Sequence, residues 1–164
     1  MGERLAGRDV TAIYASPLPR AQQTAAEVAA VLGLEVATLA GVQELDVGVH
    51  EGEHDEKVAP VALQVFSAWW RDEDLSAGFP DGETGQQIVD RMRAALDSVA
   101  DRHEGETTVV VSHGGAMAVG IQWLCENLDA VFVSQHILAN CELVELRRDG
   151  DDWHCEVWAG LPRD

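Results

Sequence analysis

TTVVVSHGGAMAVG, residues 107–120, decides how the chain folds. Thr107 to Ser112 is a short β-branched and apolar run, the pattern of a strand buried on both faces. His113 and two glycines then lead, with no spacer, into HGGAMAVGIQWLCENL, an apolar helical stretch. A strand that turns directly into a helix is the repeating half of a parallel crossover unit, and it leaves unsatisfied backbone N–H groups at the helix start.

The same unit recurs toward the N-terminus. VTAIYAS, Val10 to Ser16, is a second buried strand, closed by Pro17 and Pro19. The helix after it runs from Arg20 to Gly33, rich in Ala and straight-chain residues, with Gly33 as its stop. LEVAT, residues 34–38, is a candidate strand. Residues 41–55, GVQELDVGVHEGEHD, are acidic and glycine-punctuated and read as an irregular loop. A helical pattern with a large aromatic face resumes from about Lys57 to Arg71. After the FPDGE turn, Thr84 and Gln87 have capping-box spacing and open a helix to about His103, with Ile88, Met92, Leu96 and Val99 on one face. CELVELRR and WHCEVWA, joined by DGDD, close the chain as a β-hairpin. Strands alternating with helices make the expected fold an α/β three-layer sandwich with a largely parallel central sheet, one domain over residues 1–164.

Composition narrows the partners. With 29 acidic against 11 basic side chains the net charge is −18, a repulsive field for nucleic acid and for anionic membranes. The longest apolar runs are too short to cross a bilayer, and the N-terminus has no signal-peptide core. A cytoplasmic protein is expected. Cys125, Cys141 and Cys155 show neither a C-x-x-C pair nor metal-ligand spacing, and read as three buried thiols in a reducing compartment.

In parallel sheets chemistry gathers where strands end and helices begin. Two junctions qualify, SPLPRAQQTA at Ser16–Ala25 and SHGG at Ser112–Gly115. Arg20 brings a planar guanidinium suited to phosphate, and His113 an imidazole beside uncovered amides. Alone, Arg20 reads as a surface arginine and His113 as a structural histidine; together they point to a phosphate or carboxylate site. A competing motif is HEGEH, residues 50–54, in which His50, Glu51 and His54 fit the H-E-x-x-H pattern of a zinc metalloprotease.

The ordered motifs favour the first reading. S-P-L-x-R-A-x-Q-T-A followed by V-V-S-H-G-G, with ELDVGVHEG at Glu44–Gly52 and PDGET at Pro80–Thr84 between them, resembles the histidine phosphatase superfamily, the phosphoglycerate mutase-like proteins, over nearly the whole chain. The loop is similar to the family's E-x-x-x-G-x-W-E-G and the turn to its P-x-G-E-S. His50 stands where the family usually has Trp, so the H-E-x-x-H match arises from one substitution in another motif. A zincin needs both histidines on one helical face, and Gly48 and Gly52 oppose that helix by ~1 kcal/mol each. The metalloprotease stays as a minor alternative.

What the resemblance implies is phosphoryl transfer without metal or organic cofactor, acting on a small phosphorylated substrate. In the family a histidine of an R-H-G motif becomes phosphohistidine, and a carboxylic acid protonates the leaving oxygen. By motif match the catalytic residues are His113, Glu44 and Arg20: Glu44 is the general acid, and Arg20, His113 and the Gly114 N–H bind phosphate. Glu83 is better explained by a structural role at the helix start. No R-H-G occurs in the sequence, so the first strand and the nucleophile would lie upstream of Met1, and the domain reads as N-terminally truncated with its first strand absent. The expected function is a phosphomonoester hydrolase, ahead of a mutase, because the insertions of the longer mutases are missing. The alternative is a catalytically inactive phosphate-binding or interaction remnant. Loss of an interior strand would bare two sheet edges, so a homodimer or a poorly soluble chain is expected. Trp69, Trp70 and Phe79 either line a leaving-group pocket or, as burial preferences favour, belong to the core.

Overall fold

The computed structural model describes residues 2–163, apart from the side chains of Glu3 and Asp55. In chain order the elements are α1 (Gly2–Leu5), β1 (Val10–Ala15), α2 (Pro19–Leu32), β2 (Val36–Thr38), a 3-10 turn (Gly48–His50), α3 (Asp55–Arg71), α4 (Gly85–Ala100), β3 (Thr107–Val111), α5 (Gly114–Leu124), α6 (Ala130–Gln135), β4 (Val144–Asp149), β5 (Asp152–Trp158) and β6 (Leu161–Pro162). The crossover units expected from the sequence are present. β1 sits between β2 and β3 and is parallel to both, with Ile13 opposite Val36 on one side and Val109 on the other.

Local chemistry explains where the helices begin and end. Pro19 enters α2 in its first turn, where a missing N–H costs nothing, and Gly33 ends it at φ 69° with its N–H on Ala29 O. Ala21, Ala25, Val28 and Ala29 form the buried stripe that α2 lays on Ile13, Ala15 and Val111. On the opposite face of the sheet, α4 and α5 cover Tyr14. The capping box of α4 is complete: Thr84 accepts from Gln87 N–H while the Gln87 side chain accepts from Thr84 N–H. All four residues expected on its inner face, Ile88, Met92, Leu96 and Val99, are buried. Helices α4 and α5 touch closely at Gly120, where any Cβ would fall 2.9 Å from Met92 Cβ.

Several boundaries differ from expectation. α4 stops at Ala100, short of His103, because His103 leaves the helix to bond Tyr14 Oη through Nε2 (2.9 Å) and Glu106 through Nδ1 (2.7 Å). α5 ends at Leu124 rather than running through Leu128, since Cys125 turns extended and bridges to Trp153. The short helix α6 was not visible as a separate element; Asp129 caps it by accepting from Phe132 N–H. Cys125 and Cys155 are buried as expected, but Cys141 is exposed, in a turn at φ 63° just before β4. Trp69 is fully buried, with its indole N–H on Ala77 O, and Phe79 packs beside it. Those two aromatics are core, and Trp70 is half-buried at the same cluster.

The strands do not form one sheet. β4, β5 and β6 make a separate antiparallel sheet, and no pairing joins β3 to β4. Gly150, at φ 63°, supplies the left-handed position of the tight turn between β4 and β5. The outer edges of β3 and β4 thus lie on either side of a cleft lined by both.

Candidate functional site

The junctions β1–α2 and β3–α5 end at the same rim of the parallel sheet, which carries Arg20 and His113 to one place. Arg20 Nε donates to His113 Nδ1 at 3.2 Å, although the residues are 93 positions apart. The other ring nitrogen is 2.8 Å from Ser16 Oγ. Since Arg20 can only donate, Nδ1 is the acceptor, and the proton of the neutral ring sits on Nε2, pointing at Ser16. Ser16 is fully buried and also accepts from Leu18 N–H, so it fixes the ring from below. Burial pushes the His113 imidazole below its ordinary value; the Glu44 carboxylate opposes that shift, and the Arg20 and Arg91 guanidiniums add to it.

Arg20 is exposed. Among the described residues, nothing accepts from its terminal nitrogens or from the Gly114 N–H at the start of α5. These donors, with the helix terminus behind them, suit a tetrahedral oxyanion.

Glu44 reaches the same place from the irregular loop. Its Oε1 accepts from the N–H groups of Leu45 (3.1 Å) and Ala116 (2.8 Å) in the first turn of α5. With two donors on Oε1, a carboxyl proton can be carried only on Oε2. The loop is held in turn by Arg91. That guanidinium donates to the carbonyls of Gly41 (2.7 Å) and Gln43 (2.8 Å) and grips both oxygens of Glu83, whose Oε2 also accepts from Asp46 N–H at 3.0 Å. Glu83 therefore acts as a tie between α4 and the Glu44 loop. Arg20, Glu44, His113 and Gly114 all line one cavity of about 740 Å³.

Ser16 and Arg91 were given no role by the sequence. Ser16 lay inside the first motif without a chemical reason to single it out, and the tie from Arg91 to the Glu44 loop has no local signal, because the carbonyls it bonds are 48 and 50 residues away.

The metalloprotease motif is not assembled. His50 ends a 3-10 turn and pairs with Glu53 (2.8 Å), while His54 precedes the first residue of α3, so the two histidines do not share a helical face. Among the described residues, no cluster of His, Cys, Asp and Glu is placed to hold a metal ion. None of the described helices is long and apolar enough to cross a membrane. Of the histidines, His113 alone lines the cavity that Arg20 and Glu44 share.

Comparison with known proteins gives a consistent picture. The model of the histidine phosphatase superfamily (branch 1) matches residues 1–160. Phosphoglycerate mutase-like protein 4 of Arabidopsis thaliana is 34% identical over 167 residues, covering 98% of this chain and 70% of its own length. Among solved structures, Bacillus stearothermophilus YhfR superposes with a TM-score of 0.79 at 25% identity, over 95% of this chain and 77% of its own. A mycobacterial glucosyl-3-phosphoglycerate phosphatase superposes with a TM-score of 0.78 at 23% identity, over 96% and 80% respectively.

Proposed function

The chain belongs to the histidine phosphatase superfamily (branch 1), and from that premise we propose that its cleft binds the phosphoryl group of a small phosphomonoester and serves its hydrolysis. The supporting observation is the 3.2 Å contact between Arg20 Nε and His113 Nδ1, at a cavity that Glu44 and Gly114 also line. In this reading Arg20, His113 and the Gly114 N–H hold the equatorial oxygens, where charge gathers in the transition state. The imidazole keeps its Nε2–H on Ser16 and meets the dianion through Nδ1, which gains a proton as the dianion enters. Glu44 Oε2 delivers a proton to the leaving oxygen. On this reading the nucleophile is an imidazole of an R-H-G segment that the 164 residues do not contain, and hydrolysis is favoured over mutase chemistry because no insertion follows Glu44.

A second reading has its own support. Among the described residues, no second imidazole stands beside Arg20 and His113: His50 pairs with Glu53, His103 with Tyr14 and Glu106, and His136 with Phe132 O, while His54 precedes α3 and His154 lies in β5. The chain as it stands then binds phosphate without turning it over. One measurement tests both readings and a second separates them. Inorganic phosphate titrated against the protein should shift the His113 ring resonances under either; absence of any shift removes both. Hydrolysis of p-nitrophenyl phosphate by a version extended through an in-frame upstream R-H-G, and not by the 164-residue chain, supports the hydrolase; inactivity of both lengths leaves the binding module.

A further inference from the structure

Ser16 stands where the two strand-to-helix junctions are tied together. Its N–H bonds to Val111 O at 2.9 Å, two residues ahead of His113, and its carbonyl accepts from the Gln22 side chain at 2.8 Å, two residues beyond Arg20. The residue is fully buried, so its hydroxyl has no solvent to serve. Oγ accepts from Leu18 N–H at 3.2 Å and from His113 Nε2–H at 2.8 Å, which occupies both of its lone pairs. Nothing is left on that oxygen to take a proton from a substrate. What Ser16 does for the site passes through the imidazole.

The ring is free to take that partner because another group caps the helix. His113 is the N-cap of α5, and a side chain at that position ordinarily accepts from the second or third N–H of the helix. His113 makes no such bond; Ala116 N–H, the third, goes to Glu44 Oε1. The imidazole thus stands between a buried acceptor at Nε2 and the Arg20 guanidinium at Nδ1, with the Glu44 carboxylate and the Arg91 guanidinium as the other charges that act on it. The 3.2 Å contact with Arg20 exists only while Nδ1 is bare, since Nε has only a proton to offer. A proton on Nδ1 sets two donors of like charge face to face. An oxyanion between them accepts from both.

We infer that Ser16 is a positioning residue for anion binding: as a buried acceptor it lets His113 carry a second proton, so that one phosphate and one proton enter together and Arg20 Nε passes from the ring to the anion. This deepens the phosphate reading, on which it rests. Before binding the ring is neutral, with its proton on Nε2. A phosphate dianion and one proton from water then join it. Nε2–H stays on Ser16 Oγ, the new Nδ1–H faces one phosphate oxygen, and the Arg20 N–H groups face others. The ring adds a full charge where a neutral imidazole would add only a dipole. Without the Ser16 oxygen, the Nε2–H of that charged ring would be buried with no acceptor, the costliest way to lose a hydrogen bond. Where the free ring is neutral and free phosphate is a dianion, affinity should fall about tenfold per pH unit, the slope that uptake of one proton imposes.

The test titrates inorganic phosphate into the 164-residue protein by calorimetry. It is run at about pH 8, above the ordinary histidine value, in two buffers of different ionisation heat. Wild type should take up about one proton per phosphate bound. Nitrogen NMR of the imidazole should show Nε2 protonated and Nδ1 bare before phosphate, and both protonated after it. Ser16→Ala should bind phosphate about tenfold or more weakly, with little proton uptake. Should that variant fail to fold, Ser16→Cys replaces it, keeping nearly the same shape with a weak acceptor. Ser112→Ala is the structural control: it loses a hydroxyl bond of 2.7 Å to Val42 O, one residue from His113, and should keep wild-type uptake and nitrogen pattern. Because a hydroxyl can turn, the rival arrangement is a neutral ring that moves its proton to Nδ1 while Ser16 donates to Nε2. That ring binds phosphate without uptake, and finding it overturns the proposal, as does wild-type uptake and affinity in the Ser16 variant. Absence of any phosphate-induced change in heat or ring nitrogens removes the phosphate reading and the proposal together, whereas phosphate binding without proton uptake removes the proposal alone.

Discussion

Arg91 holds Glu83 in a two-pronged grip, Nε to Oε1 at 2.7 Å and Nη2 to Oε2 at 3.0 Å, and spends its remaining donors on the loop that carries Glu44. Both side chains are largely shielded, at 15% and 20% exposure. A planar fork with donors on three sides does what an ammonium cannot. Arg91→Lys should therefore lower stability by about 2 kcal/mol, as lost hydrogen bonds to charged groups do. Urea unfolding is the measurement, with the midpoint falling at an unchanged slope. The Asp46 amide, which bonds Glu83 Oε2, should lose exchange protection first. A variant with wild-type midpoint and protection would show the clamp to be idle.

How much of this was legible beforehand follows from the range of each interaction. The α4 capping box was readable because Thr84 and Gln87 are three residues apart and the geometry of one helical turn relates them. Arg20 and His113 were readable as chemistry at two strand ends, but their contact depends on β1 and β3 being neighbours, which only the sheet order supplies. The Arg91 clamp was not readable at all, since nothing in a sequence ties a helix residue to carbonyls 48 and 50 positions away. Cys141 was misjudged by applying the average burial of thiols to a turn position, where backbone conformation decides exposure.

His113 gives stability a defined pH dependence. Burial lowers its folded value below the 6.5 of an ordinary histidine, so the unfolded chain takes up the proton first as pH falls. The contribution is complete above about pH 6.5 and is lost as pH drops through the depressed folded value. Wild type should lose stability more steeply than His113→Gln across that window, and the two should run parallel above it. Equal slopes throughout would mean that His113 is not the titrating group. Inorganic phosphate, entering as a dianion beside the ring, should move the His113 titration back upward in a direct NMR measurement.

The thiols should separate cleanly by reactivity. Burial pushes Cys125 up to about 12 and Cys155 up to about 11, so neither offers thiolate at neutral pH, while Cys141 stands at the surface. A colorimetric disulfide reagent should titrate one thiol rapidly in the native protein and the other two only on denaturation. Cys141→Ser should remove the fast phase and leave the slow one. Two fast equivalents in the native protein would place Cys125 or Cys155 in an opening that the packing around Trp153 and Trp158 does not provide.

Gly114 and Gly115 are adjacent in sequence and should respond oppositely to the same change. A Cβ at Gly115 would fall 2.8 Å from Glu44 Oε1 and 3.0 Å from Leu45 Cδ2, whereas at Gly114 the nearest atom is Leu138 O, an ordinary contact at 3.6 Å. Either substitution adds helix propensity of about 1 kcal/mol to α5. At Gly114 that gain should survive as a raised or unchanged melting temperature, with the N–H still available to an anion. At Gly115 the methyl must displace the Glu44 carboxylate, which loses its bond to Ala116 N–H. The Ala116 amide resonance should then shift in Gly115→Ala and stay in place in Gly114→Ala. On the hydrolase reading, a version extended through an upstream R-H-G and carrying Gly115→Ala should lose rate chiefly on alkyl phosphates, whose departing oxygen needs a proton, and far less on p-nitrophenyl phosphate, whose leaving group does not. An Ala116 resonance unchanged in Gly115→Ala would show that Glu44 is held by something other than the start of α5.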